Sequence, residues 1–417
     1  MKIGVNGRFL TKPFTGIGRY SRYLFEEIAR QNPEDEIVMA ANSNVSFKMP
    51  QNVRVVVIPE NFPGTSGMKK TYWEQFQLEN FFNRQKVDLV HFPYPCNFWK
   101  GYHKPVCVTV HDTIPWTMPL YRKSLSTRLY QDRCMNAVKK ADHVFAVSES
   151  AKKEIIEICS LDPKKTSVSY NALPDIFFQT VGKREKEEVL IKNGIPVDEP
   201  YLLYVGGYDV RKNVDVLLEA YNRNIAGNYA LNLVMVGGKH LNDKLYQSFD
   251  NLTNTGPGDR LQMKGKILTT GFVEDKDLPA LYQSAFAFVN LSAKEGFNLP
   301  LLEAAVSGTP IMISDLPVHH EVAGEYGIYV RYDNPAQVAH TIKKLLTDPD
   351  FYQKQKQKMA DFSCPFSWEE TAGSVMNIYK TLLGVLSYYV RQSCMRHRSC
   401  SWVYAGSGFL VICEDTA

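Results

Sequence analysis

At 417 residues the chain is long enough for two domains, and its 44% hydrophobic and 22% charged residues exclude a disordered or collagen-like polymer. Lys plus Arg (48) exceed Asp plus Glu (44) by four, too little to mark a nucleic-acid binder. The eight cysteines form no C-x-x-C pair and no metal-ligand spacing, the start Met1 to Val5 lacks the apolar core of a signal peptide, and no window approaches a membrane span. The expectation is a cytoplasmic protein that touches a membrane only from outside.

Short β-branched runs alternate with longer amphipathic stretches along the chain, the pattern of parallel sheets joined by crossover helices. Strands are expected at Ile3 to Val5, Ile37 to Ala40, Val53 to Ile58, Leu89 to His91, Val106 to Val110, Val144 to Val147 and Thr166 to Tyr170. After the charged, turn-rich stretch 181–200, the rhythm resumes at Tyr201 to Val205, Leu233 to Val236, Ala285 to Asn290, Pro310 to Ser314 and Ile328 to Val330. The expected organisation is α/β: a first doubly wound domain over 1–180, a linker over 181–200, and a second such domain over 201–365. A last helix follows over 366–383, opened by Ser367 and Glu370 as a capping box, then an atypical tail over 384–417 without lysine. Ligands bind at the carboxyl ends of parallel strands, so a cleft between the domains is the natural site.

Several segments fall at such ends. Thr15-Gly16-Ile-Gly18 follows the first strand, and Ser21 stands where the third glycine of Gly-x-Gly-x-x-Gly would be. His111-Asp112 directly follows the strand Val106 to Val110. In the second domain, Gly206-Gly207 precedes Arg211 and Lys212, a pair able to neutralise a diphosphate. The most informative string is Glu295-Gly296-Phe297-Asn298-Leu299-Pro300 through Glu303. Pro300 suits the start of a helix whose amino terminus favours an anion, Gly296 permits close backbone approach, and Asn298 tolerates a left-handed conformation. Glu303 is expected in the first helical turn.

Together with Val147-Ser-Glu149 and Gly308-x-Pro310, these residues resemble the family 4 glycosyltransferases of GT-B fold over about residues 1 to 383. The resemblance implies two Rossmann-like domains facing across a cleft, a C-terminal helix returning to the first domain, and metal-independent, retaining transfer of a hexose from a nucleotide diphosphate sugar, with no other cofactor. It implies that Arg211 and Lys212 hold the diphosphate, Glu303 the ribose, Glu295 the sugar hydroxyls and His111 the sugar near its reacting carbon, with Gly16 giving the phosphate room. Where members usually carry Asn-Gly after the first domain's last strand, this chain has Asn171-Ala172. The strings Asp275-Lys-Asp277 and Asp348-Pro-Asp350, which could suggest a metal site, are read as helix caps.

His111-Asp-Thr-Ile-Pro115 resembles the family's bacterial mannosyltransferases of polysaccharide assembly, so GDP-mannose is the expected donor and UDP-glucose the second choice. A dehydrogenase would require the missing Gly-x-Gly-x-x-Gly, and a phosphorylase-like enzyme a cofactor-bearing lysine. A non-catalytic sugar-binding or scaffolding protein is the alternative from another class. The expected acceptor is a glycan on a membrane lipid. The basic stretch Arg122 to Lys140, with Leu125, Leu129 and Val138 expected inward, and the segment Met68 to Phe76 would meet anionic lipid.

Overall fold

A computed structural model describes residues 1–98, 102, 104–237 and 264–384, together with the backbone of 400–405 and 408–413. Its first sheet contains β1 (Lys2–Asn6), β2 (Glu36–Ala41), β3 (Val53–Val57), β4 (Leu89–Phe92), β5 (Val106–Val110), β6 (His143–Ala146) and β7 (Thr166–Val168). They lie in the order β3-β2-β1-β4-β5-β6-β7, all parallel. The second contains β8 (Tyr201–Val205), β9 (Asn232–Val236), β10 (Ile267–Gly271), β11 (Ala287–Asn290), β12 (Ile311–Ser314) and β13 (Ile328–Val330), ordered β10-β9-β8-β11-β12-β13 and again parallel. β4, β5, β9, β11 and β12 are buried throughout, as strands covered by helices on both faces must be.

In each sheet the chain reverses its direction of travel between neighbours, at β1/β4 in the first and β8/β11 in the second. These switch points open crevices beyond the strand ends. Residues following β1, β5, β8 and β11 therefore line the region between the sheets, which is where the glycine, histidine and glutamate strings fall.

Two expectations are corrected. Residues 181–200 are not a plain linker, because Lys183–Lys192 is a helix with Val189 and Leu190 buried and Lys192 paired at 2.6 Å with Asp277 of the second domain. Its charges form i,i+4 pairs, Lys183 with Glu187 at 3.9 Å and Arg184 with Glu188 at 2.8 Å. The edge strand β10 was also missed. Its Thr-Thr-Gly end carries little apolar signal.

The last helix, Trp368–Leu382, begins where Ser367 Oγ accepts the Glu370 N–H at 3.1 Å. It docks on the first domain: Tyr379 hydrogen-bonds His91, Thr371 donates to the Tyr170 carbonyl at 3.1 Å, and Gln31 reaches the Glu369 carbonyl at 2.9 Å. In the tail, 400–405 and 408–413 pair as an antiparallel hairpin with Trp402 opposite Val411. The rest of 385–417 lies outside the described residues. Among those described, no helix is long and apolar enough to cross a membrane.

Candidate functional site

On the first-domain side, β1 leads to the helix Gly16–Gln31, whose N-cap Thr15 accepts the Gly18 N–H at 3.1 Å. Gly16 faces open space, while a Cβ on Gly18 would meet the Lys12 carbonyl oxygen at 2.1 Å, so the turn closes only with glycine there. His111, beyond β5, lies edge-on to Tyr20 with ring centroids 4.9 Å apart, and its Nε2 is 2.8 Å from the Pro93 carbonyl oxygen. A carbonyl only accepts, so Nε2 carries the proton and Nδ1 is bare in the neutral ring. Burial pushes the His111 pKa down to about 4, which keeps the ring neutral near pH 7. Asp112 accepts the Ile114 N–H at 2.9 Å, and burial raises its pKa against the pull of Arg211.

On the second-domain side, β8 ends at Val205, just before Gly206, and the turn Val210–Lys212 is capped by Asp209, which accepts the Arg211 N–H at 3.0 Å. This turn is fastened to the loop after β11 by Ala293 N–H to the Arg211 carbonyl at 2.7 Å and Asn213 Nδ2 to the Leu291 carbonyl at 2.8 Å. Glu295 is thereby surrounded. Arg211 Nη1 lies 2.8 Å from its Oε2, and Lys212 Nζ bonds Oε1. Ser292 Oγ donates to the same Oε1 at 2.7 Å. Burial alone would raise the Glu295 pKa, but the two cations hold the carboxyl well below its usual range. Burial lowers the Lys212 pKa against the pull of Glu295. Neither cation faces solvent freely. The expectation of two open cleft cations is corrected to a triad held within one domain, with Lys212 buried and Arg211 half-buried.

The helix Leu299–Val306 begins just beyond, with Asn298 at its N-cap in the left-handed conformation (φ +78°) and Pro300 in the first turn. Phe297 and Leu299 are buried. A Cβ on Gly296 would fall 1.7 Å from the His111 carbonyl oxygen, so glycine lets the two domains touch directly beside the triad. Glu303 is the fifth helical residue, beyond the expected first turn. It is fully buried, with Oε1 bonded to Arg19 of the first domain and Oε2 accepting from Tyr282 at 2.7 Å. Thus Glu295, Arg211, Lys212, Gly296 and His111 come together, while Glu303 occupies a separate environment.

The sequence reading missed Arg19, which bridges to Glu303 and to Asp275. Its place one residue after Gly18, on the first turn of a cleft helix, is the signal that marks it. Other closures join Tyr121 with Asp209, Lys294 with Glu154 at 2.8 Å, and Ser148 Oγ with the Gly296 carbonyl at 2.7 Å. Glu321 caps the helix Glu149–Cys159 from the opposite domain, accepting the Glu149 and Ser150 N–H at 2.6 and 2.9 Å. Asp348 is a true cap, accepting the Phe351 N–H at 2.9 Å. Asp275 and Asp277 are not side-chain caps: they pair with Arg19 and Lys192.

With two doubly wound sheets and the residues at their strand ends described, the chain can be compared with known proteins. The profile of Glycosyltransferase Family 4 matches residues 14–175, and that of Glycosyl transferases group 1 matches residues 185–361. The chain is a family 4, group 1 glycosyltransferase. This glycosyltransferase is 27% identical over 357 residues to the O-antigen chain mannosyltransferase RfbU of Salmonella typhimurium, covering 83% of this chain and 91% of that one. Among solved structures it resembles sucrose-phosphate synthase from Thermosynechococcus elongatus (TM-score 0.69, 17% identity, 92% and 100% of the two chains). It also resembles Anabaena HepE in complex with UDP-glucose (TM-score 0.65, 17% identity, 93% and 100%). The expected GT-B fold and enzyme class therefore hold.

Proposed function

We propose that this glycosyltransferase moves mannose from GDP-mannose, with retention and without a metal, onto a glycan or lipid-linked acceptor during assembly of a cell-surface polysaccharide. The observation that carries the reading is the Glu295–Arg211–Lys212 triad beside the amino terminus of Leu299–Val306 and the His111 backbone. Breaking the anomeric C–O bond leaves negative charge on the diphosphate and positive character on the sugar. Arg211, Lys212 and the helix terminus oppose the first, and the ionised Glu295 suits hydroxyls of the second. The leaving phosphate takes the acceptor proton. Neutral His111, with Nε2–H committed to Pro93, offers its backbone and bare Nδ1 to the sugar side. Glu303 is the ribose carboxylate, and open space beside Gly16 receives phosphate. The similarity to an O-antigen mannosyltransferase supports mannose and the polysaccharide role. UDP-glucose, which HepE holds, is the second donor.

The acceptor reading rests on the first domain's outer face. On the helix Leu125–Lys140, Val138 turns inward as expected but Leu125 (73% exposed) and Leu129 (51%) turn outward. Arg128 and Arg133 are exposed there too. The neighbouring segment, joined through Lys70 over the Tyr130 ring at 4.5 Å, exposes Met68 and Phe76. Outward apolar side chains among cations suit the interface of an anionic membrane at the cytoplasmic face. Release of nucleotide diphosphate from a panel of nucleotide sugars, with and without EDTA, tests the donor and metal assignments. Fastest release from GDP-mannose, unaffected by EDTA, is expected; a metal-rescued loss overturns metal independence. Sedimentation with anionic but not neutral vesicles, weakened by Arg128→Glu with Arg133→Glu, tests the surface.

A further inference from the structure

Asn298 holds the N-cap position of Leu299–Val306 but does not cap it. Its Nδ2 is instead 2.9 Å from His319 Nε2, and His319 Nδ1 is 2.7 Å from the Ser314 carbonyl oxygen. That carbonyl can only accept, so Nδ1 carries the imidazole proton and Nε2 of the neutral ring is an acceptor. The amide of Asn298 must then turn its NH2 group toward the histidine and its oxygen away. Oδ1 is left buried and without a partner, in a side chain only 6% exposed. A buried amide oxygen with nothing to accept is uncommon enough to require a reason.

Its surroundings supply one. Gly296, two residues earlier, abuts the His111 backbone, and Glu295 and Lys212 both act electrostatically on His319. The strand end is also fixed: Ser314 Oγ donates to the Ser292 carbonyl at 2.6 Å. The orphaned acceptor thus belongs to the turn that carries Glu295. An acceptor oxygen has no use for an ionised phosphate, but it does bind a hydroxyl.

We propose that Asn298 Oδ1 is a specificity-determining acceptor for one hydroxyl of the donor sugar, and that His319 is a positioning residue that locks the amide in the orientation presenting this oxygen. The inference rests on the reading that the turn Glu295 to Leu299 holds the sugar. It explains why an asparagine occupies a left-handed position without capping the helix. The amide is committed to histidine on one edge and kept for ligand on the other.

The experiment compares kcat/KM for GDP-mannose and for its 2-, 3-, 4- and 6-deoxy analogues in four proteins: wild type, Asn298→Gly, His319→Leu and His319→Gln. Glycine suits the positive φ while deleting the amide. Glutamine can accept from Asn298 and donate to Ser314, so it preserves the lock. In the wild type one analogue is expected to lose about tenfold or more. In Asn298→Gly that one loss disappears while the other analogues keep theirs. His319→Leu reproduces this selective flattening with Asn298 present, and His319→Gln retains the wild-type pattern. Asn298→Gly with all wild-type losses intact, or His319→Leu and His319→Gln behaving alike, overturns the proposal. Glu295→Gln separates it from the reading beneath it. If that variant also leaves every analogue loss unchanged, the turn does not hold the sugar. If it flattens them while Asn298→Gly does not, only the present assignment fails. Should GDP-mannose not be turned over, the same comparison is made with UDP-glucose and its deoxy analogues.

Discussion

Glu295 and Glu303 are both buried carboxylates eight residues apart in sequence, yet they are held in opposite ways. Glu295 takes Arg211, Lys212 and Ser292 from its own domain. Glu303 takes Tyr282 from its own domain and Arg19 from the other. The first set of contacts lies within one domain, whereas the second spans both. One carboxylate is thus bound within its own domain, and the other is shared with the first domain's Arg19.

The largest test of this contrast is the pair Glu295→Gln and Glu303→Gln. Glu295→Gln is expected to lower kcat about a hundredfold or more, because it removes charge from the transition state and takes from Lys212 its carboxylate partner and from Arg211 the nearer of two. Glu303→Gln should act mainly on donor KM, since a ribose contact is nearly uniform between ground and transition states. The reverse order in steady-state kinetics would mean that the two roles are exchanged.

Next come the cations. Arg211→Ala or Lys212→Ala should cost about 1.5 to 3 kcal/mol of donor transition-state binding, read as kcat/KM, the value of a charge-assisted hydrogen bond. Because each also uncovers Glu295, thermal stability should fall too; unchanged kinetics in both variants would refute the diphosphate assignment.

A smaller effect of opposite sign is expected from Arg19→Met. In the proposed reading Glu303 binds the ribose, and Arg19, paired with Glu303 across the cleft, competes with it for that carboxylate. The variant should lower donor KM severalfold and, by small-angle scattering without donor, give a more open particle. A raised KM would instead make Arg19 a donor contact.

A last test, of stability rather than turnover, is a dependence on pH that separates Glu295 from the buried histidines. Its depressed pKa gives stability that is present above the ordinary carboxylate range and lost only as pH falls through and below it. Burial lowers His91 to about 3 and His111 and His143 to about 4, from an ordinary 6.5. Their unfolded forms bind protons first, so stability is full above pH 6.5 and declines as pH falls toward 4. Urea midpoints should drop between pH 6.5 and 5 in the wild type and in Glu295→Gln alike. A flat wild-type profile over that window would contradict the neutral, buried state of these rings.

Much of this was legible in the chain because strands of doubly covered sheets must be continuous apolar runs, so twelve segments announced themselves and β10, polar at its end, did not. The helix within 181–200 was hidden because charges that form i,i+4 pairs read, in one dimension, like a solvated linker. Leu125 and Leu129 defeated periodicity for the converse reason: an apolar stripe identifies a face but not what covers it.

The sequence by itself determined the fold class and placed Arg211, Lys212 and Glu295 in loops after strands of the second domain, since strand ends, glycine turns and a helix start are local events. Only the tertiary structure decided that both cations pair with Glu295 and that Arg19 crosses to Glu303. It also decided that His319, more than twenty residues from Glu295, turns the amide of Asn298. Ion pairs and tautomers depend on which groups share a low-dielectric space, and chain closure across a cleft sets that distance, which spacing along the sequence does not encode.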